Sequence, residues 1–239
     1  MAIPGEVNQS IGRAYQFTFI AALEGNIRHF ENNFTVEQTP DKTTFLGRTG
    51  CTFSFDFNGI FRHPWRFCEV FGECKGYTKA GDLLNEFRLF LAKAYVACVD
   101  TARHKNDLFW FVTNVPFGCS EGRNLRNVDF VMSALTDREN SDVQKIIGAG
   151  TVDRELVRSL TKNLGVFILT DSYLMNARLS YKVKDGDTLW DILKIFHGGH
   201  VPSNFQAKAD QIAAANQLKS PNKIIRGKRI DLSWYGLGD

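Results

Sequence analysis

Apolar residues recur at near-helical intervals along the first thirty positions: Ile11, Tyr15, Phe19, Ala22 and Ile27 share one face, which predicts an amphipathic helix over residues 11–30. The pattern then changes. Residues 34–37, 51–61 and 65–77 are rich in aromatic and β-branched side chains, with Asn58-Gly59 and Pro64 as turn formers, and predict an antiparallel meander. Asp82 is a candidate N-cap for a helix through LLNEFRLFLAKAYVACV, which is apolar on so much of its surface that it must lie against a sheet. Residues 107–115 (DLFWFVTNV) read as a buried strand. The more polar stretch 118–150 lacks a sustained period and is expected to be an insertion with short helices. A helix over 152–163, a strand over 166–171 and a short closing helix follow. This order predicts an α/β fold, a mixed sheet flanked by helices on both faces.

From Tyr181 the periodicity is that of a second, smaller unit. A short strand leads to a Gly186-Asp187 turn, and Thr188 caps a helix with Leu189, Ile192, Leu193, Ile195 and Phe196 on its apolar side. A second helix ends at Asn216, and a return strand follows Gly227. The result is a βααβ module. The predicted division is therefore a domain over 1–178, with 118–150 inserted, and a module over 179–239.

With 239 residues, 44% of them hydrophobic, the chain can bury cores of this size. No stretch approaches the roughly 20 apolar residues of a membrane span, and the N-terminus lacks a basic start followed by an apolar run, so a cytoplasmic, membrane-free protein is expected. Cys51, Cys68, Cys74, Cys98 and Cys119 are odd in number and form no CxxC pair, which points to buried thiols rather than a disulfide framework or zinc site. A net charge of +3 permits nucleic-acid binding without arguing for it.

Strand parity supplies the first chemistry. If 51–61 is one strand, Phe53, Phe55 and Phe57 face one way, while Ser54, Asp56 and Asn58 face the other. In the next strand Glu73 and Lys75 share a face opposite Cys74. Pairing of the two strands brings Asp56 to Glu73 and Lys75. Two carboxylates about 4 Å apart repel by about 4 kcal/mol at an effective dielectric near 20, so one is protonated or a cation lies between them. Hard oxygen ligands favour Mg²⁺, or Mn²⁺ in its place. Such a site supports phosphodiester hydrolysis, with Lys75 orienting water and offsetting transition-state charge. A bare ExK tripeptide is common, and as a solvated cross-strand pair it is worth little. Arg48, Arg62, Arg66 and Lys79 bracket the site and are candidate phosphate contacts.

Asp56 followed by Glu73-Cys74-Lys75 resembles the PD-(D/E)xK nuclease superfamily, and ECKGY resembles its Mrr-like restriction endonuclease branch. GRAYQFTFIAAL, DLFWFVTNVPF and VFILTDSYLMNA extend the resemblance over most of residues 10–178. It implies a restriction-endonuclease-like fold, a metal held by Asp56, Glu73 and the Cys74 backbone carbonyl, and Lys75 as catalytic lysine. Gln16 departs from the glutamate many relatives carry, and 118–150 is longer than the family's usual segment.

YKVKDGDTLWDI, the ADQIAAANQL helix and SPNKIIRGKRIDL closely resemble a LysM domain. The resemblance implies a shallow groove for N-acetylglucosamine polymers, formed by Gly186, Asp187, Thr188 and Leu189 with Pro221, Asn222, Lys223 and Ile224. The loop at 197–208 is longer than usual, and its His197 and His200 read as loop histidines rather than a metal pair. Together the resemblances imply a Mg²⁺-dependent endodeoxyribonuclease of bacterial anti-phage defence. Its LysM module would recognise a glycan or a phage protein, or regulate the enzyme. A homodimer is expected, because two strands must be cut and one site cuts one. The rivals are a nuclease acting on RNA or branched DNA, and a non-catalytic binding protein built on a nuclease-like scaffold.

Overall fold

The computed structural model describes residues 4–36, 39–63, 66–77, 82–100, 106–118, 125–196, 204–221 and 224–232. By the density of internal contacts they form two compact units, Glu31–Ile168 on one hand and Met1–Phe30 with Leu169–Asp239 on the other. The helix expected to open the large domain, α1 (Pro4–Asn26), therefore groups with the C-terminal module.

The larger unit is built on a five-stranded mixed sheet of order β1-β4-β5-β6-β7. Its strands are β1 (Phe30–Thr35), β4 (Phe57–His63), β5 (Arg66–Lys75), β6 (Leu108–Thr113) and β7 (Leu164–Ile168). The short helix α2 (Pro40–Thr43) leads into β2 (Thr44–Leu46), which forms a separate antiparallel pair with β3 (Thr52–Ser54). β4 and β5 pair antiparallel, whereas β5 with β6 and β6 with β7 pair parallel. The parallel connections are made by α3 (Leu83–Asp100) and by α4 (Val128–Thr136), α5 (Ser141–Ile147) and α6 (Arg154–Asn163). Asn127, Asn140 and Asp153 cap the last three through side-chain oxygens, so the stretch expected to hold short helices does so.

The sequence reading needs two corrections in the meander. Asn58-Gly59 is not a turn but lies inside β4, facing Phe71 and Val70 across the ladder. The strand expected over 51–61 is also two strands, broken at Phe55-Asp56. The break reverses the parity, so Phe55 joins Phe71, Phe90 and Phe109 at centroid distances of 5.5, 6.3 and 5.8 Å beneath α3. Phe57 lies on the opposite face, its ring so close to Gly72 that a Cβ there would fall 2.0 Å from it. The aromatic layer under α3 is the core of this unit.

In the second unit α1 packs on α7 (Asp171–Asn176), β8 (Ser180–Lys182) and α8 (Leu189–Phe196). Asn26 Nδ2 donates to the Arg178 carbonyl at 3.0 Å, and Gly25 approaches the same carbonyl too closely for any side chain. α9 (Phe205–Ala215) and β9 (Arg229–Asp231) complete the predicted βααβ module, with β8 and β9 antiparallel. Cys68, Cys74 and Cys98 are buried, Cys51 is half-buried, and Cys119 lies outside the described residues. Among the described residues no helix is long and apolar enough to cross a membrane.

Candidate active site

The break between β3 and β4 positions the first acid. The Asp56 N–H donates to the Gly72 carbonyl at 2.8 Å, and the Asp56 carbonyl accepts from Val36 at 2.9 Å. β4 pairing stops at Phe57 opposite Gly72, and beyond it Asp56 Oδ2 accepts the Cys74 N–H at 2.7 Å. The carboxylate thus takes the hydrogen bond that a longer strand would have taken. This fixes Asp56 beside the last three residues of β5, where Glu73 and Lys75 project toward α3.

Glu73 is the centre of the cluster, its side chain only 5% exposed. Lys75 Nζ lies 3.0 Å from its Oε1 and 2.9 Å from Glu86 Oε2. Lys93 Nζ donates to both Glu73 oxygens and to the Ser54 carbonyl, each at 3.0 Å. Glu86, Phe90, Lys93 and Ala97 follow one helical face, so α3 delivers Glu86 to Lys75 and Lys93 to Glu73. Lys93 was missed in the sequence, although a signal was there: it is the one charge in the stretch from Leu89 to Val99 of α3.

The two acids are driven in opposite directions. Burial, reinforced by the charge of Glu73, raises Asp56 to about 7, against the opposing pull of Lys75, the Cys74 N–H and Lys93. Burial also works to raise Glu73, but Lys93 and Lys75 outweigh it and hold its carboxyl below the usual range. For Lys75 burial favours the neutral amine, yet Glu73, Asp56 and Glu86 overcome this and keep it charged. At the rim, Asn114 clamps the chain leaving β5 by accepting the Tyr77 N–H and donating to the Tyr77 carbonyl, both at 2.9 Å. Burial and then Glu86 push the Tyr77 phenol to about 12.

Asp56, Glu73 and Lys75 are therefore brought together, and Cys74 contributes its backbone between them while its thiol is buried. Of the expected phosphate contacts, Arg48 and Arg62 are not. Arg48 stacks over Tyr95 at 5.2 Å and donates to the Thr151 carbonyl. Arg62 lies over Phe67, at the end of the β4–β5 hairpin remote from Lys75, and Arg66 belongs to that same end. Lys79 lies outside the described residues. Gln16 is buried in α1.

Among the described residues no group of three or more His, Cys, Asp or Glu side chains is placed to hold a metal. The donor set is instead a pair of carboxylates with an adjacent main-chain carbonyl. Hard oxygens of this kind suit a hydrated hard divalent ion. A positive charge beside Asp56 would oppose the burial and the Glu73 charge that raise its pKa. The residues present thus fit such an ion.

In the C-terminal module Gly186 turns with φ +83°, a conformation suited to glycine. Asp187 Oδ2 accepts the Lys184 N–H at 2.6 Å and the Tyr181 hydroxyl at 3.0 Å, which locks the turn. Thr188 Oγ1 caps α8 by accepting the Asp191 N–H at 3.1 Å, as expected, and donates back to Asp191 Oδ2. Leu189 is fully buried, so it can offer a ligand only backbone. Pro221 and Ile224 are half-buried, whereas Asn222, Lys223, His197 and His200 lie outside the described residues. An Arg226–Asp185 ion pair of 3.3 Å and the exposed Ile225 beside it were not read from the sequence.

Residues 181–233 match the LysM domain family. This stretch is therefore a LysM domain, and the match lies wholly within the second unit. No curated protein was found to match the chain.

Proposed function

We propose that the protein is a divalent-metal-dependent endodeoxyribonuclease whose LysM domain serves recognition or regulation, in the setting of anti-phage defence. The observation that carries this reading is the buried convergence of Asp56, Glu73 and Lys75, delivered by a broken strand and the end of its neighbour. Asp56, Glu73 and the Cys74 carbonyl would hold Mg²⁺ or Mn²⁺. When bound, the ion supplies Lewis-acid polarisation of the phosphate and acidifies a water. Lys75, a quarter exposed and already shared between Glu73 and Glu86, is placed to orient that water and to offset negative charge as the phosphorus–oxygen bond breaks. Glu73, Asp56 and Glu86 together hold Lys75 charged. Cleavage of both strands by one-strand sites favours a homodimer.

The test is cleavage of plasmid, linear, single-stranded and RNA substrates with Mg²⁺, with EDTA and with Lys75→Ala. DNA cleavage abolished in both controls is expected. Activity surviving both would remove the assigned site, and cleavage of RNA alone would reassign the substrate.

One observation favours a second reading. The LysM domain belongs to a family that binds peptidoglycan and related N-acetylglucosamine polymers, while Glu73 already has both oxygens engaged by lysine. On this reading the protein is a glycan- or protein-binding one on a nuclease-like scaffold. Capture by N-acetylglucosamine oligomers without any Mg²⁺-dependent cleavage would favour it.

A further inference from the structure

Lys93 has no role in the reading above, yet it is the most firmly held charge of the cluster. Its ammonium has three N–H donors, and the Ser54 carbonyl and the two Glu73 oxygens take all three at 3.0 Å. Its side chain is 12% exposed, and moving it would leave a buried ammonium without its carboxylate and take the ammonium from Glu73 Oε2. Lys75 differs in each respect. It makes two contacts, is 25% exposed, and on releasing Glu73 Oε1 would remain paired with Glu86. Of the two lysines around Glu73, only Lys75 can withdraw at little cost, which opens one side of Oε1 while Lys93 keeps its own bond to that oxygen.

We propose that Lys93 is a positioning residue that occupies the place of a second metal ion, so that the site takes one divalent ion, between Asp56 and Oε1 of Glu73. The inference rests on the metal site of the nuclease reading. Asp56, Glu73 and Glu86 when ionised bring three negative charges, and the ammonium groups of Lys75 and Lys93 cancel two. A single divalent ion then leaves one positive charge for a phosphate to balance. A second ion would leave three in a buried pocket, and like charges there repel strongly. Lys93 also holds both Glu73 oxygens in one plane, so the carboxylate is oriented before any ion arrives.

Manganese binding to the full chain tests this without recourse to activity. Free Mn²⁺ is followed by electron paramagnetic resonance in titrations of the wild type, Lys93→Met, Lys93→Arg and Asp56→Asn, with a thermal melt of each to establish folding. One ion is expected for the wild type and for Lys93→Arg. Lys93→Met should take two, the first at least about ten-fold tighter because a neighbouring positive charge is gone. A role confined to supporting the fold would instead weaken binding in Lys93→Met. Two ions in the wild type, or a single ion in folded Lys93→Met, would overturn the proposal. Should Lys93→Met not fold, Lys93→Gln and the wild-type stoichiometry decide on the same terms. Absence of Mn²⁺ binding by the wild type, or binding by Asp56→Asn equal to wild type, overturns the metal site itself, an outcome distinct from a wrong count of ions.

Discussion

Each compact unit buries a glutamate, and the two do so differently. In the unit that carries the LysM domain, Glu24 of α1 is 2% exposed and faces Arg229 at 3.8 Å, itself 41% exposed. Burial lowers Lys184 nearby, against the pull of Glu24 and Asp187. A buried acid there meets a basic group that reaches out to solvent, an arrangement sufficient to join a helix to a small module. In the sheet unit Glu73 receives three hydrogen bonds from two ammonium groups, and a second acid beside it is kept from ionising until about pH 7. Fastening two elements together does not require this density. Charges crowded in this way are found at functional sites and in structural ion-pair networks alike.

The two units should differ most at Glu73. Glu73→Gln leaves Lys75 and Lys93 without their shared carboxylate, and unfolding free energy from urea titration should fall by about 3–5 kcal/mol. A loss as small as that of a surface pair would show that water reaches the lysines, and that the cluster is an ordinary exposed network. Next comes Asp56→Asn, which should stabilise. Because the folded pKa of Asp56 lies above its unfolded value near 3.8, the wild type loses stability as pH rises from about 4 to about 7, and the loss is complete above that. The variant escapes this loss, so its advantage should grow across the same window and reach roughly 4 kcal/mol at pH 8. An advantage that grew on acidification instead would reverse the assignment. Glu73 acts in the opposite sense: its stabilising share is present above the ordinary glutamate pKa and disappears as acid protonates it.

In the other unit the effects should be smaller. Glu24→Gln should cost about 1–2 kcal/mol, since Arg229 can turn to solvent. Gly186→Ala should cost roughly 1 kcal/mol from left-handed strain alone, because nothing lies within 4 Å of the added methyl group. The same variant, assayed for capture by N-acetylglucosamine oligomers, sharpens the comparison by showing whether that turn binds as well as folds.

What could be read beforehand follows from how far the information is spread along the chain. The LysM domain is encoded in short local strings, a glycine turn, a threonine cap and an asparagine at the end of a helix, and the structure places each where the pattern predicts. Asp56, Glu73 and Lys75 were legible because the residue just before β4 and the end of its neighbour β5 carry them. Lys93 was not, since its meaning depends on how α3 is rotated over the sheet, which no periodicity fixes. The break at Phe55-Asp56 was hidden by alternation that looks continuous. Asn58-Gly59 misled because a favourable turn pair was overruled by its tertiary setting inside a ladder. The grouping of α1 with the C-terminal module depends on contacts between residues some 150 positions apart, such as Tyr15 with Asp171, and leaves no local trace.

The hydrogen bond from the Cys74 amide to the Asp56 carboxylate makes that amide a built-in reporter. Its proton senses the charge on one oxygen, so its nuclear magnetic resonance position and its rate of exchange with solvent should follow the ionisation of Asp56 along a titration curve. A cation drawn to the same carboxylate should shift that curve toward acid. The ladder position vacated where β4 ends thus gives the chemistry of the cluster a voice in the backbone, readable without substrate and without turnover.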